Sequence, residues 1–521
     1  MNRRAQFATI LVAVTALLAG CAPGLAANPH FAVDNGHSPG GPTTAPPPAD
    51  GPQPIVAPAS GHELPWTDCT ARVFGGAALP PPPGVTLDCA TYDADLDSIN
   101  GATGSLNIGV VRARSVDTPP DAGPLVFTTG SDLPTSQQLP VWLTRSGYDI
   151  LKAHPIVAID RRGMGMSSAV DCRDLYDRQE MRDQAQFESG DDPVASLGAV
   201  TMTATTSCTD TIAPGDSAYD NAHAAEDIEK LRSLWDVPSL ALVGIGNGSQ
   251  VALAYAGSHP DKVSRLILDS PVPLGINAEA AAEQEVKGQQ AALDAFATQC
   301  AAVSCPLGND PKGAVDAILQ SARAGDGPGG ASVASVVNAI VTALGFPDGD
   351  RATNTTRLAT ALASARSGDD NQLNNLIDQA DAIRETDGQF INRCSDSLNR
   401  PTPDRVRELV VAWAKLYPQF GTVAALNLVK CLNWPSGTAP DAPKDLKVGV
   451  LLLGVQNDPI AGSEGTAATA ATIINAGANS RRVMWQGIGH GASIYTDCAM
   501  PPVLAYLESG KTPETDTYCP A

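Results

Sequence analysis

The sequence predicts a doubly wound α/β chain, with a mostly parallel sheet covered by helices and a helical cap inserted late. Three observations carry this. The short apolar runs in "PLVFTTG", "PIVAIDRRG", "LALVGIG" and "SRLILDSPV" end in loop residues, as strands buried on both faces of a parallel sheet do. Between the second and third lies "NAHAAEDIEKLRSLWDV", where Ala225, Ile228, Leu231 and Leu234 recur on one helical face, and such strand–helix alternation winds a sheet on both sides. From about Asn277 to Lys444 helical stretches such as "AEAAAEQEVKGQQAALDAFATQC" and "RVRELVVAWAKLY" dominate, and then "KVGVLLLG" and "RRVMW" resume the sheet.

Taken in order, the chain opens with Arg3 and Arg4, an apolar run from Phe7 to Leu18, and the sequence Leu18-Ala19-Gly20-Cys21. The run is too short to span a bilayer and is built like a signal peptide, expected over residues 1–20. The small residues before Cys21 resemble a bacterial lipobox, which makes Cys21 the expected lipidated first residue of a mature chain held at the cell membrane by lipid; plain cleavage with Cys21 unmodified is the alternative. Residues 21–62, including "GGPTTAPPPADGPQP", bury too little apolar surface to order themselves and read as a disordered tether. The folded body is then expected as a first core part over 63–276, a cap over 277–444 and a second core part over 445–521. "VTLDCATY" and "GSLNIGVVRARS" read as an opening antiparallel pair, and "PPVLAYLESG" as a final amphipathic helix.

Charge and cysteine usage narrow the function. A net charge of −22 disfavours nucleic acid or an anionic membrane surface as partner. Of 11 cysteines, Cys21 is set aside for lipid and an even number remains. None of these has zinc-type spacing, and no metal or cofactor is expected. In an oxidising compartment they form bridges, and pairing sequence neighbours gives Cys69–Cys89, Cys172–Cys208, Cys300–Cys305, Cys394–Cys431 and Cys498–Cys519, although sequence alone does not fix connectivity.

The chemistry turns on "LALVGIGNGSQVALAYAGSHP", a strand, a glycine-rich turn and a helix laid out like the nucleophile elbow G-x-S-x-G. Gly244 and Gly248 supply the small flanking residues, but Gly246 stands where the serine belongs. Ser249 lies about a turn into the helix, with Asn247 and Val251 at its own flanks, and is a poor substitute. Asp458, in "LLLGVQNDP", and His490, in "GIGHGAS", each follow a strand at the edge where parallel sheets place their chemistry. Gly246, Asp458 and His490 thus keep the triad order with the nucleophile missing.

These features resemble the actinobacterial secreted α/β-hydrolases of the tripeptidyl-aminopeptidase type, in the S33 peptidase group. "PIVAIDRRGMGMSSAVDC", "INRCSDS", "CLNWP" and "GHGASIYTDCAMPPVLAYLESGKTPETDTYC" carry the resemblance over most of the body. It implies an α/β-hydrolase fold with Asp458 as triad acid and His490 as triad base. The loop "TTGSDLPTSQQLP" departs from the glycine-rich segment that helps form the family's oxyanion hole. The resulting expectation is an exported lipoprotein and pseudoenzyme, binding a peptide or small envelope ligand between cap and core. The rivals are a working hydrolase using Ser249, Ser131 or water activated by His490, and a purely structural envelope protein. Oligomeric state is not readable from the sequence.

Overall fold

A computed structural model of the chain describes residues 53–184 and 190–521. The expected signal peptide, the lipidation position Cys21 and the tether up to residue 52 lie outside the described residues. The described residues form one compact unit.

A 10-stranded sheet runs through it. Its strands are β1 (Thr67–Asp68), β2 (Val85–Asp95), β3 (Ser105–Ser115), β4 (Leu125–Thr128), β5 (Ile156–Ile159), β6 (Leu240–Ile245), β7 (Val263–Asp269), β8 (Val450–Asn457), β9 (Ser480–Ile488) and β10 (Thr517–Cys519). The spatial order is β1-β2-β3-β5-β4-β6-β7-β8-β9-β10. The β2–β3 pair is antiparallel, as expected, and from β5 to β10 every pairing is parallel. The central strands β4 to β7 are buried along their whole length, which their unbroken apolar runs require. Such strands need helices on both faces, and two apolar clusters fill the two sides. One contains Trp142, Phe127 and Tyr506, and the other Trp235, Tyr255 and Leu268. This is the α/β-hydrolase fold.

The lid differs from expectation in one respect. Its main part is helical from Ala278–Ala302 onward to Leu428–Cys431. It is joined by an earlier insertion, the helices Leu175–Asp183 and Pro193–Ile212, which the sequence left inside the first core part. Val194 and Leu197 belong to the same apolar cluster as the late lid helices. The first helix is mostly charged and polar and the second is rich in alanine and threonine, so neither carries much signal of where it docks, and periodicity alone did not assign them.

A second correction concerns the tether. Residues 53–62, expected in it, lie against the core instead. Val56 bridges Ala122, Ala59 donates to the carbonyl of Trp235, and His62 is bonded through Nδ1 to the Leu234 carbonyl at 3.0 Å. Proline-rich backbone has few donors of its own, yet its carbonyls still accept from Arg265, which donates to Gln53. All five cysteine pairs are bridged as neighbours. Cys498–Cys519 ties the short strand β10 to the segment just after His490.

Candidate functional site

The turn after β6 keeps the shape of an elbow. Gly246 has φ +56°, a left-handed conformation, and the helix Gly248–Ser258 starts directly behind it. A Cβ at Gly244 would meet the Gly248 carbonyl, and one at Gly248 would meet Thr128, so both flanking glycines are required by close backbone approach.

Ser249 does not face the site. It is fully buried, its Oγ donates to the Gly246 carbonyl at 2.6 Å, and it accepts the Val272 amide at 3.1 Å. Its hydroxyl closes the helix start against the chain after β7, which is a structural task.

The structure brings Asp458 and His490 together. His490 Nδ1 lies 3.0 Å from Asp458 Oδ2 and 3.1 Å from Oδ1. Asp458 is held rigid because its Oδ1 also accepts the amides of Ile460 and Ala461. The His490 loop is fixed from below by Asp269, at the end of β7, which accepts the amides of Ala492 and Ser493 and the Ser493 hydroxyl. The lid closes over the imidazole from above, with the Phe346 ring edge-on at 5.7 Å.

The residue that decides the chemistry is Asp132, in the loop after β4. A Cβ built on Gly246 would fall on Asp132 Oδ2 and come within 2.5 Å of His490 Nε2. The carboxylate therefore fills the room a serine side chain would need. Oδ2 accepts the backbone amide of Asn247 at 2.7 Å, and Oδ1 accepts its side-chain amide at 2.6 Å. In an elbow, the amide after the nucleophile is an oxyanion donor, so Asp132 occupies that place as well. On its far side Oδ2 stands 3.3 Å from His490 Nε2, an ion contact off the line of a hydrogen bond. From the lid, Gln389 Nε2 donates to the Asp132 carbonyl at 2.6 Å and holds the loop in place.

The electrostatics follow from this sandwich. Burial disfavours a charged His490, but attraction to Asp458 and Asp132 overcomes it and raises the pKa to about 10. For Asp132, burial opposes ionisation, yet the contacts with His490 and the Asn247 amide hold the carboxyl below its usual range. At neutral pH this environment favours the imidazolium, held between the carboxyl groups of Asp458 and Asp132. A cation has no lone pair with which to take a proton from serine or water. The space left beside the ring, bounded by Asp132, Phe346 and Ile494, is only about 10 Å³, room for no more than a single water.

A larger cavity of about 250 Å³ opens on the other side of Asp132, between lid and sheet. Ser131 lines it but makes no hydrogen bond to His490. Asn247 and Gln250 line it from the elbow helix, and Glu285, Arg384 and Arg393 from the lid. The lid cations and the roles of Asp132 and Asn247 were not found in the sequence. The available signal was an acidic residue in the altered loop after β4, at the same sheet edge as a missing side chain.

Comparison with known proteins gives the following. Residues 417–519 match a family model described as TAP-like protein, and residues 140–316 match one described as alpha/beta hydrolase fold. Serine protease Hip1 of Mycobacterium tuberculosis and of Mycobacterium bovis are each 24% identical over 266 residues, covering 50% of this chain and 50% of theirs. The match thus spans half the length of these curated relatives. Among solved structures, an esterase from Thermogutta terrifontis is 15% identical with a TM-score of 0.35, over 81% of this chain and 99% of its own. The esterase RhEst1 of Rhodococcus sp. is 14% identical with a TM-score of 0.37 and the same coverage.

Proposed function

Because the chain is an α/β-hydrolase of the TAP-like type, we propose that it is a non-hydrolysing one, which holds a peptide or small ligand between lid and sheet. The carrying observation is the Asp132 carboxylate, seated at once in the serine's space, on the Asn247 oxyanion donor and against His490. Acyl transfer needs a nucleophile, a neutral base and a free oxyanion donor. Asp132 opposes all three. Loss of a triad serine alone costs a serine protease about a million-fold in kcat. Ser249 is bound into backbone, Ser131 is not bonded to the base, and the void at His490 is too small for a substrate.

The test is covalent labelling of the purified chain by a fluorophosphonate, beside hydrolysis of p-nitrophenyl acetate and of a tripeptide anilide. No labelling and no turnover above a His490→Ala control is expected. Labelling mapped to any serine, or turnover lost in that control, would overturn the reading.

The proposal extends to place. The five bridges suit an oxidising compartment, and no helix among the described residues is long and apolar enough to cross a membrane. We place the protein outside the cytoplasm, anchored by lipid at Cys21. Mass spectrometry of the membrane-extracted chain should find lipid mass on Cys21, lost in Cys21→Ala; a mature chain without added mass refutes the anchor.

A further inference from the structure

We infer that Arg384 and Arg393 form an anion subsite on the lid wall of the larger cavity, suited to a carboxylate carried on an apolar body. This rests on the reading of the cavity as a ligand site, and it names the ligand's chemical class.

The argument is one of unmatched charge. Most other charged side chains at the cavity have partners: Arg173 with Asp387 at 2.7 Å, Arg182 with Asp183 at 2.9 Å, Lys430 with Glu385 at 3.4 Å and Asp396 with Arg161 at 2.6 Å. Asp132 faces His490. Arg384 and Arg393 have no carboxylate within ion-pair distance among the described residues. Arg384 donates from Nη1 to Asn338 Oδ1 at 3.2 Å, while its Nε is buried with no acceptor. Arg393 donates once, from Nη1 to the Arg384 carbonyl at 3.3 Å.

Two guanidinium groups thus line one cavity wall, and a buried donor is left unsatisfied, at a cost that an incoming acceptor would relieve. Burial, and then repulsion from Arg393, lowers Arg384 to about 10. The nearby acid, Glu285, lines the same cavity but makes no ion pair with either arginine among the described residues; desolvation raises its carboxyl, against the pull of Arg393 and Arg384. A carboxylate fits the planar fork of an arginine in a way an amide does not, since both its oxygens accept and it carries the charge. Next to this pair the wall turns apolar, with Val337, Val341, Ile276 and Ile460, so the anion's body has somewhere to lie.

The carboxylate could end a peptide or a fatty chain, and the probes separate these sources. Octanoate and N-acetyl-Leu-Leu would be titrated calorimetrically into the full chain, each beside its neutral amide. At least one acid should bind, about tenfold or more tighter than its amide, and whichever binds identifies the source. Arg384→Gln and Arg393→Gln should abolish that preference, while Arg393→Lys keeps part of it. Equal affinity for acid and amide, no binding of either acid, or acid binding unchanged in both Gln variants would overturn the subsite. Should the Gln variants fail to fold, the acid–amide comparison on the unaltered chain decides alone. Fluorophosphonate labelling of a chain that still prefers the acids would sink the non-hydrolysing reading and leave the subsite standing.

Discussion

Placing serine back at position 246 tests the site most directly, and the structure says that the single change will fail. In Gly246→Ser the new Cβ clashes with Asp132 Oδ2 and lies 2.5 Å from His490 Nε2. In addition, a non-glycine residue at φ +56° costs about 1–3 kcal/mol. Asp132→Ala removes the first of these clashes and opens space into which the His490 ring must draw back from the second. It removes two hydrogen bonds to Asn247, of 2.7 and 2.6 Å, and one of the two carboxylates facing His490. Breaking a buried ion pair costs about 3–5 kcal/mol, and here Asp458 remains, so the loss should stay at or below that range.

The double variant then gains three things together. A hydroxyl stands beside Nε2, the Asn247 amide is free, and the ring, without Asp132, has a pKa lower than about 10. A second donor would have to come from the altered loop after β4, where the Gly130 amide already bonds Thr128 Oγ1 at 3.1 Å. Turnover should therefore fall about 100- to 1000-fold short of a complete hole. Labelling by a fluorophosphonate, followed by intact-mass spectrometry, is the assay. Stoichiometric labelling is expected in Gly246→Ser/Asp132→Ala alone, and its loss on adding His490→Ala. A folded double variant that never labels would refute the reasoning, as would a single Gly246→Ser that labels equally fast, because Asp132 would then not be the obstacle.

Other outcomes follow from the same geometry. In the unaltered chain His490 should titrate near 10 by NMR, and Asp132→Asn should lower that value; a ring titrating near 6.5 would contradict the two-carboxylate sandwich. Because the folded value exceeds 6.5, this ring's contribution to stability is complete below pH 6.5 and is lost as pH rises through about 10. Asp132 behaves in the opposite sense: lowered from 3.8, it contributes above pH 3.8 and loses that contribution as pH falls through its folded value, which urea melts across pH would record. Ser249→Ala should cost about 1–2 kcal/mol by denaturant melt, through the bonds to Gly246 and Val272, and leave labelling of the double variant intact. Replacing Cys498 and Cys519 together, a bridge across 21 residues, should cost about 2–4 kcal/mol and reduce labelling of the double variant by loosening the His490 loop.

Much of this site was legible locally. The strand ends carrying Asp458 and His490, and the small residues Gly244 and Gly248 around the turn, are properties of a few adjacent residues, and periodicity exposes them. The bridges too were readable, because each joins neighbours in sequence. Asp132 was not, since its meaning depends on Asn247 and His490, which lie 115 and 358 positions further along and meet it only through the order of strands in the sheet. The helices of 175–212 escaped for a related reason: exposed Leu175, Tyr176 and Met202 blur their apolar faces, so nothing local assigned them to the lid.

The mutual exclusion between positions 132 and 246 also bears on ancestry. While Asp132 is seated against His490, a glycine-to-serine codon change at 246 creates a clash rather than a catalyst. Loss of Asp132 alone uncovers a base with no nucleophile to serve. Neither step by itself yields an improvement on which selection for hydrolysis could act, so the pair works as a ratchet. On the non-hydrolysing reading proposed above, the pair would keep a ligand-holding chain from becoming one that cleaves its ligand.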